Sequence, residues 1–392
     1  MSKTVLVSGA GVGGSTVAYW LAHNGFEVTV VERAHAQRSS GNPVDVKGPA
    51  IEVAEKMGIL DRLQAAGSAV NRMTFVDAHG RPTAHIGLEL FQGGAGDREV
   101  EIPRADLAAI LLDTAREAGI EFLWGDTITG LRQDPDGVAV TFAHAGPRRF
   151  DAVIGADGLH SNVRRLAFGA EAEFVRHMGV YVATVQLDRP FGADTEVLVH
   201  NTPGRAVTVH PSKGRAVAAF MFRSAAVPGF DHRDLDQHKR LVTEAFPEPS
   251  WRLPELVERV RAADDLYFDS VSQVRMPSWS TGRIVLLGDA ASCLSLFGDG
   301  STLAMTGAYT LATAMAATDD PAEAFRRYER QHRTLVEPKL KGFSAATMLL
   351  LPATRAGIAA RNAFTRVLPL VTTIGAARRR RNGAAATSGD RR

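Results

Sequence analysis

Cysteine is almost missing from this 392-residue chain. Cys293 stands alone, which excludes an intrachain disulfide and any zinc site built on cysteines. The twelve histidines show no H-E-x-x-H or other tight ligand spacing, so no metal is expected. No apolar run approaches the ~18 residues that suggest a membrane span. No basic-then-apolar leader precedes the first strand. Excess charge is missing too: the formal net charge is +2, and the surplus is local, because Arg378 to Arg381 and Arg391-Arg392 crowd the tail. A nucleic-acid partner is therefore not expected. Together these absences predict a cytoplasmic protein in a reducing compartment. What is present is ordinary for an α/β chain, 45% hydrophobic and 22% charged, and the length allows two domains with a substantial core.

The informative stretch is Thr4 to Arg33, TVLVSGAGVGGSTVAYWLAHNGFEVTVVER. An apolar run gives way to Gly9-Ala10-Gly11-Val12-Gly13-Gly14, a helical pattern follows to Asn24, and Gly25 is its expected left-handed stop. A second apolar run, Val28 to Val31, ends at Glu32. This is a βαβ unit with G-x-G-x-x-G at the first strand-to-helix turn and an acid after the second strand, the fingerprint of dinucleotide binding. Gly9 permits the tight turn, Gly11 a close approach to a pyrophosphate, and Gly14 the packing of helix on strand. Val12 and Gly13 open the helix, whose N-terminus offers free N–H groups and partial positive charge. Glu32 has the acceptors for both hydroxyls of an adenosine ribose. The alternative is a plain glycine-rich strand–helix turn.

Farther along, Ala50 to Leu63 reads as one helix, and 73–77 with 83–86 as a hairpin. Arg104 sits at the start of a helix that closes at Gly119. Short strands are expected at 120–133 and 137–144 around a turn at 134–137. Asp151 to Gly158 reads as a buried strand ending in Asp157-Gly158, and Arg283 to Asp289 as another ending in Gly288-Asp289. Between them, 179–187, 196–200, 206–210 and 216–223 alternate in the manner of a mainly antiparallel sheet, followed by a helix over 235–246 and a proline-rich crossing at 247–254. Helices are expected over 303–317, 321–336 and, with prolines, 343–374, and disorder over 382–392.

These motifs resemble the single-component FAD-dependent aromatic hydroxylases of the p-hydroxybenzoate hydroxylase type. The carrying residues are the Gly9 fingerprint with Glu32-Arg33, DAVIGADGLHSNVR (Asp151 to Arg164) and RIVLLGDAA (Arg283 to Ala291). GNPVDVKG and EIPRADLAAILL are most similar to the tetracycline-inactivating monooxygenases and related actinobacterial hydroxylases of polycyclic natural products. The resemblance implies an α/β fold. A Rossmann-like FAD-binding domain of the GR2 type, 1–171 with 276–335, carries an inserted antiparallel substrate domain, 172–275, and a C-terminal helical segment, 336–381. It implies FAD as cofactor and NAD(P)H as co-substrate, with no second Rossmann fingerprint for the latter.

By the same resemblance, Asp289 holds the ribityl and pyrophosphate part of FAD, where the alternative is a helix N-cap. Gly298, Gly300, Ser301 and Thr302 belong to a turn under the flavin ring. Arg104, in R-x-x-L with Leu107, offers donors to phosphate or ribityl oxygens, and Asp157 serves both FAD and NAD(P)H. Arg38 pairs with NADPH and Asp45 with FAD, with Lys47 a weaker candidate nearby. The chain departs from the family where Gly-Asp-Ala-Ala-His becomes Gly-Asp-Ala-Ala-Ser292, and where the loop proline is replaced around Leu296.

The implied reaction is hydroxylation of an aromatic or polycyclic small molecule. NAD(P)H reduces the flavin, O2 adds at C4a, and the hydroperoxide delivers one oxygen; no protein nucleophile is required and no catalytic acid or base is assigned. The rivals are a flavin-dependent reductase or desaturase on a lipid-like substrate, and a non-catalytic flavin protein lying on a membrane through 343–381. A helix packed across the domains explains that stretch without a membrane. Trp20, Trp124, Trp251 and Trp279 form no W-x-W-x-I-P segment, which argues against a halogenase. A monomer or a homodimer is expected.

Overall fold

The computed structural model describes residues 2–36, 42–87, 99–212, 215–293, 299–340 and 343–365; Arg38, Gly298 and the tail 382–392 lie outside these. Thr4–Ser8 (β1) and Glu27–Glu32 (β2) run parallel, with Val5 opposite Val28 and Val7 opposite Val30, and Val12–His23 (α1) crosses between them. Both strands are continuous apolar runs because a parallel sheet is covered on both faces, and Val5, Leu6, Val7 and Val30 are fully buried. The helix stops where Gly25 takes φ +84°, the left-handed conformation expected there.

Ala152–Gly155 (β11) lies parallel to β1 on its other side, and Ile284–Leu286 (β18) lies parallel to β11. Glu121–Trp124 (β7) and Ser280–Thr281 (β17) form the edges, so this six-stranded sheet runs β17-β18-β11-β1-β2-β7. The chain thus returns twice to the nucleotide-binding sheet, as the two buried strands with polar ends predicted. Arg104–Glu117 (α4) and Asp299–Ala316 (α9) pack against α1, and Pro321–Leu340 (α10) covers α9.

Two smaller units flank the sheet. Val44–Lys47 (β3) and Glu99–Ile102 (β6) make an antiparallel ribbon. The single helix expected over 50–63 is two, Pro49–Lys56 (α2) and Leu60–Ala66 (α3). Gly58, at φ +70°, ends the first one. Ile128–Asp134 (β8), Gly137–Phe142 (β9) and Arg148–Phe150 (β10) form a meander that turns where expected.

The second sheet holds Arg72–Val76 (β4), Pro82–Gly87 (β5), Val175–Leu187 (β12), Glu196–Thr202 (β13), Arg205–Ser212 (β14), Arg215–Arg223 (β15) and Tyr267–Val274 (β16). Their order is β16-β12-β15-β14-β13-β4-β5, antiparallel except where β13 meets β4. It is therefore wider than the segment 172–275. The hairpin β4–β5 is added because the apolar Val197 and Val199 of β13 are buried by Phe75, Ala84 and Ile86. Leu235–Ala245 (α7) and Leu253–Ala262 (α8) cover one face, over Tyr181, Ala183, Val185 and Phe220. The proline-rich crossing runs straight into α8, since a proline is tolerated in a helix's first turn.

The opposite face looks toward the strand ends of the six-stranded sheet and carries the C-terminal segment, Phe343–Leu350 (α11) and a helix over 355–365. Leu351 is buried with Val180, Val182, Ala206 and Met221. Arg361 lies 3.6 Å over the Phe75 ring and donates to Asn201 Oδ1 at 2.9 Å. Leu351 and Arg361 thus anchor this stretch on the protein, while Met348 and Phe364 remain exposed.

Candidate active site

The first turn forms a cradle whose shape depends on missing Cβ atoms. Gly9 has φ +102°, and a Cβ there would stand 2.6 Å from the Ala156 carbonyl oxygen. A Cβ on Gly14 would stand 1.9 Å from the Gly9 carbonyl oxygen, so the helix seats on the turn only with glycine at 14. Gly13 faces Ala304 and Leu287 at ordinary contact distance, whereas Gly11 has nothing within 4 Å. Open space at Gly11, together with an α1 N-terminus that has neither a side-chain cap nor an acid in its first turn, is what a pyrophosphate requires. Glu32 braces the turn. Its Oε2 accepts from Ala10 N–H at 2.9 Å and its Oε1 from Ala34 N–H at 2.8 Å, and each oxygen keeps lone pairs for a ribose hydroxyl. Arg33 is exposed beside it.

The ends of β11 and β18 come to the same side. Asp157 accepts from Ser161 Oγ, from Asn162 N–H at 2.9 Å, from Val163 N–H at 3.1 Å and from Ser8 Oγ at 3.3 Å. Its carboxylate therefore caps Asn162–Ala167 (α5) and ties that helix to the end of β1; burial pushes its pKa up against these bonds. Arg164 extends the tie. Fully buried, it donates to the carbonyls of Ala290, at 3.0 Å, and Leu159, and pairs with Glu171 of Glu171–Phe174 (α6) at 3.5 Å. Sequence reasoning missed its role, although it closes the quoted middle motif; an arginine one residue after Val163 and two before Leu166, both apolar, was the available signal.

Asp289 follows Gly288, which has φ +62°. It is ringed by protein yet keeps accessible surface, as a residue on the floor of a cleft does. Burial raises its carboxyl above the ordinary range, while the Arg104 guanidinium and a hydrogen bond from Cys293 Sγ pull it down. Asp289 and Arg104 are therefore neighbours. A Cβ built on Gly300 would lie 3.9 Å from Asp289 Oδ1, which brings the α9 N-terminus to the same point.

The predicted Asp45, Ser301 and Thr302 are also together. The Asp45 carbonyl accepts from Ser301 Oγ at 2.8 Å and Thr302 Oγ1 at 3.0 Å, and Lys47 N–H donates to Thr302 Oγ1 at 3.1 Å. These hydroxyls stitch β3 to α9. The Lys47 ammonium lies among Asp299 at 3.4 Å, Asp45 at 3.5 Å and Glu99 at 3.9 Å, so it serves carboxylates of the protein. Burial raises the Asp45 carboxyl against the pull of Lys47.

Side chains then join this crevice to the second sheet. His160, in the turn after β11, faces Glu171 Oε1 with Nδ1 at 3.0 Å and Asp269 Oδ1 of β16 with Nε2 at 3.2 Å. Burial opposes its charge, but the two carboxylates prevail and lift its pKa to about 9. His232 stacks on it, centroids 3.9 Å apart, and burial with the neighbouring imidazolium lowers it to about 4. On the far side His210 Nε2 meets Glu101 Oε1 of β6 at 3.0 Å. Burial would raise Glu101, but His210 and Ser68 hold it below the ordinary range.

Comparison with known proteins agrees with this geometry. Residues 2–361 match a family described as an FAD binding domain. A flavin-dependent monooxygenase of Legionella longbeachae is 35% identical over 346 residues, 87% of this chain and 88% of that protein. The crystal structure of tetracycline destructase Tet(55) superposes with TM-score 0.79 at 32% identity, over 93% of this chain and 95% of that one. Klebsiella pneumoniae HpxO, complexed with FAD and uric acid, shares the fold with TM-score 0.73 at 23% identity, over 93% and 92% of the two chains.

Proposed function

This chain belongs to the FAD-binding family of flavin-dependent monooxygenases, and from that premise we propose that it uses NAD(P)H and O2 to hydroxylate an aromatic or polycyclic small molecule. The observation that carries the reading is the convergence of three features at one crevice: the open glycine cradle, Asp289 beside Arg104, and the α9 N-terminus. Bound FAD would supply the redox and oxygen chemistry. The protein's part is to bind, orient and shield.

Gly11, Gly13 and Gly14 with Val12 would present N–H groups to the pyrophosphate, while Gly9, whose own N–H donates to the Val31 carbonyl at 2.8 Å, shapes the turn. Glu32 would take the adenosine ribose, and Asp289 with Arg104 the ribityl chain. The N–H groups of Gly300, Ser301 and Thr302, at a helix N-terminus, favour negative charge at the flavin ring. Asp45 shapes that edge through its carbonyl, and Asp157 acts by holding the turn rather than by offering a free carboxylate. Arg33 and Arg38 are our candidates for the passing NAD(P)H. Residues 1–171 and 276–335 form the cofactor domain, and 172–275 with the hairpin of β4 and β5 forms the substrate domain. Support for a ring-bearing substrate comes from neighbours, one a tetracycline destructase and one complexed with uric acid.

The experiment is direct. The purified protein should be yellow and release FAD on denaturation. A screen of hydroxylated ring compounds, tetracycline and uric acid among them, should find one that speeds NAD(P)H oxidation and yields a product heavier by one oxygen atom. A colourless protein that takes up no added FAD sinks the reading, and peroxide as the only O2 product turns it toward an oxidase or reductase.

A further inference from the structure

The helix over 355–365 lacks the charged outer face that a surface helix carries. Its inner side is fixed. Arg361 and Thr365 are buried, as is Leu351 before the helix, and Arg361 donates to Asn201 Oδ1 and to the Leu349 carbonyl, both at 2.9 Å. Outward stand Ala356, Ala359, Ala360, Ala363 and Phe364, all exposed, and the one exposed charge is Arg355 at the first position. Their three- and four-residue spacing puts the five on one side of the helix. Phe364 is 61% exposed, and Met348, which precedes the Leu349 that Arg361 holds, is 68% exposed. Packing across the sheet accounts for the inner side of this segment and leaves the apolar outer side open. A lone exposed apolar residue is ordinary; an outer face of alanines with a phenylalanine on it is not.

Charge is a second observation, independent of the first. After Glu337 the next acidic residue is Asp390. The 52 residues between them hold nine cations, Lys339, Lys341, Arg355, Arg361, Arg366 and Arg378 to Arg381, and no acid. Eleven cations and one acid follow Glu337 in all, so with the whole chain at +2 the residues up to Glu337 stand at −8. A molecule divided in this way approaches an anionic surface by one end. The buried Arg361 takes only neutral acceptors, Asn362 Oδ1 among them, and pairs with no carboxylate among the described residues. Between Phe364 and the arginine run the sequence is apolar again, with Val367, Leu368, Leu370, Val371 and Ile374; that stretch lies outside the described residues.

We propose that the C-terminal segment seats this protein on an anionic lipid bilayer, through Met348, Phe364 and the apolar-then-basic sequence 366–381. The apolar side chains enter the headgroup layer, and the arginines meet lipid phosphates and carboxylates. One signal of either kind gives only marginal attachment, whereas the two together give a stable one, and this segment carries both. The attachment is peripheral, since no described helix is long and apolar enough to cross a membrane. The acidic remainder of the chain stays turned to water. No crevice residue takes part, so the proposal stands apart from the monooxygenase reading.

The test sediments the full-length protein with vesicles of phosphatidylcholine alone and of phosphatidylcholine with phosphatidylserine. The wild type should bind the mixed vesicles at least ~10-fold more tightly than the neutral ones, and added salt should release it. Replacing Arg378 to Arg381 with glutamine should weaken that binding at least ~100-fold. Met348→Ser with Phe364→Ser in one chain should weaken it ~10-fold. An unchanged melting temperature certifies that each variant folds, as exposed positions allow. A wild type that ignores the mixed vesicles overturns the proposal. Wild-type affinity in the serine pair shows that the helix face is not the seat, and overturns it as well. A dimer that the serine pair dissociates, with no vesicle binding by the wild type, would assign the face to a second copy of the chain instead. Binding to a short RNA but not to vesicles would assign the arginines to nucleic acid.

Discussion

Around Gly9 to Gly14 the crevice is shaped by backbone, with glycines standing where a single Cβ would collide and carboxylates satisfied by N–H groups. Along the seam with the second sheet it is held by charge, an imidazole between two carboxylates at His160 and an imidazole on a carboxylate at His210. The two constructions respond to different insults. A backbone cradle is indifferent to pH and salt but intolerant of one extra carbon. A charged seam tolerates changes of shape but answers to protons and screening. Such a division suits a crevice in which one wall must keep a single geometry while the other can yield.

The sharpest way to break the cradle is Gly14→Ala. The added carbon would sit 1.9 Å from a backbone oxygen, and neither partner is a flexible side chain that can yield. We expect a loss of more than ~3 kcal/mol and no retained FAD, read from the denaturant midpoint and the flavin content. Full flavin content in this variant would show that α1 can shift bodily and that the cradle is less rigid than its contacts indicate.

Arg164→Met tests the tie between the two walls. It removes a fully buried cation and leaves the Ala290 and Leu159 carbonyls and Glu171 without that partner. A loss of about 3 kcal/mol is expected. FAD affinity should fall as well, because the Ala290 carbonyl anchors the turn that carries Asp289. Unchanged affinity would show that this turn is held from the β18 side alone.

The same contrast explains what was legible in the amino-acid sequence. Gly9, Gly14, Gly25 and Gly288 announce themselves because special backbone conformations and close approaches demand one residue type. The parallel strands β1, β2, β11 and β18 announce themselves because burial on both faces demands unbroken apolar runs. The seam gave no comparable signal. Tyr267–Val274 (YFDSVSQV) mixes polar and apolar residues without clean alternation, so β16 becomes a strand only through its pairing with β12. His160 and Asp269 meet across 109 residues, and nothing local to either position marks the encounter. Asp157 shows how a local signal serves two readings: a polar residue in a glycine-bearing turn suits a ligand and a helix cap equally well, and its carboxylate accepts from the first N–H groups of α5.

Breaking the seam by pH comes next in size. The unfolded chain releases the His160 proton near the ordinary value of 6.5, and the folded chain holds it to about 9. The folded state therefore binds more protons across that interval. Its contribution is complete below pH 6.5 and is lost as pH rises through 9, on the order of 3 kcal/mol at most. His232 runs the other way. With its folded pKa near 4, it removes stability as pH falls from 6.5, and the lowered Glu171 carboxyl does so at still lower pH. His160→Gln should flatten the fall in melting temperature between pH 6.5 and 9 and leave an acid limb in place. An undiminished fall would assign the alkaline loss to other groups.

The smallest effect on the fold is expected two positions from Gly9, and it separates shape that serves the protein from shape that serves its ligand. Gly11 has φ −77° and ψ −169°, extended backbone open to any residue, and a Cβ there would meet no atom within 4 Å. Gly11→Ala should leave the FAD-free protein within ~1 kcal/mol of wild type. Any shift should be toward greater stability, because alanine narrows the unfolded ensemble. The same carbon would stand in the space that a pyrophosphate needs beside the α1 N-terminus. FAD affinity should therefore fall at least ~10-fold while the melting temperature of the apoprotein holds, both measurable on one preparation by flavin titration and thermal denaturation. If Gly11→Ala instead binds FAD as wild type does, the pyrophosphate does not approach at Gly11. The open space in the cradle would then belong to the turn's own geometry, and the contrast with Gly14 would be one of packing only.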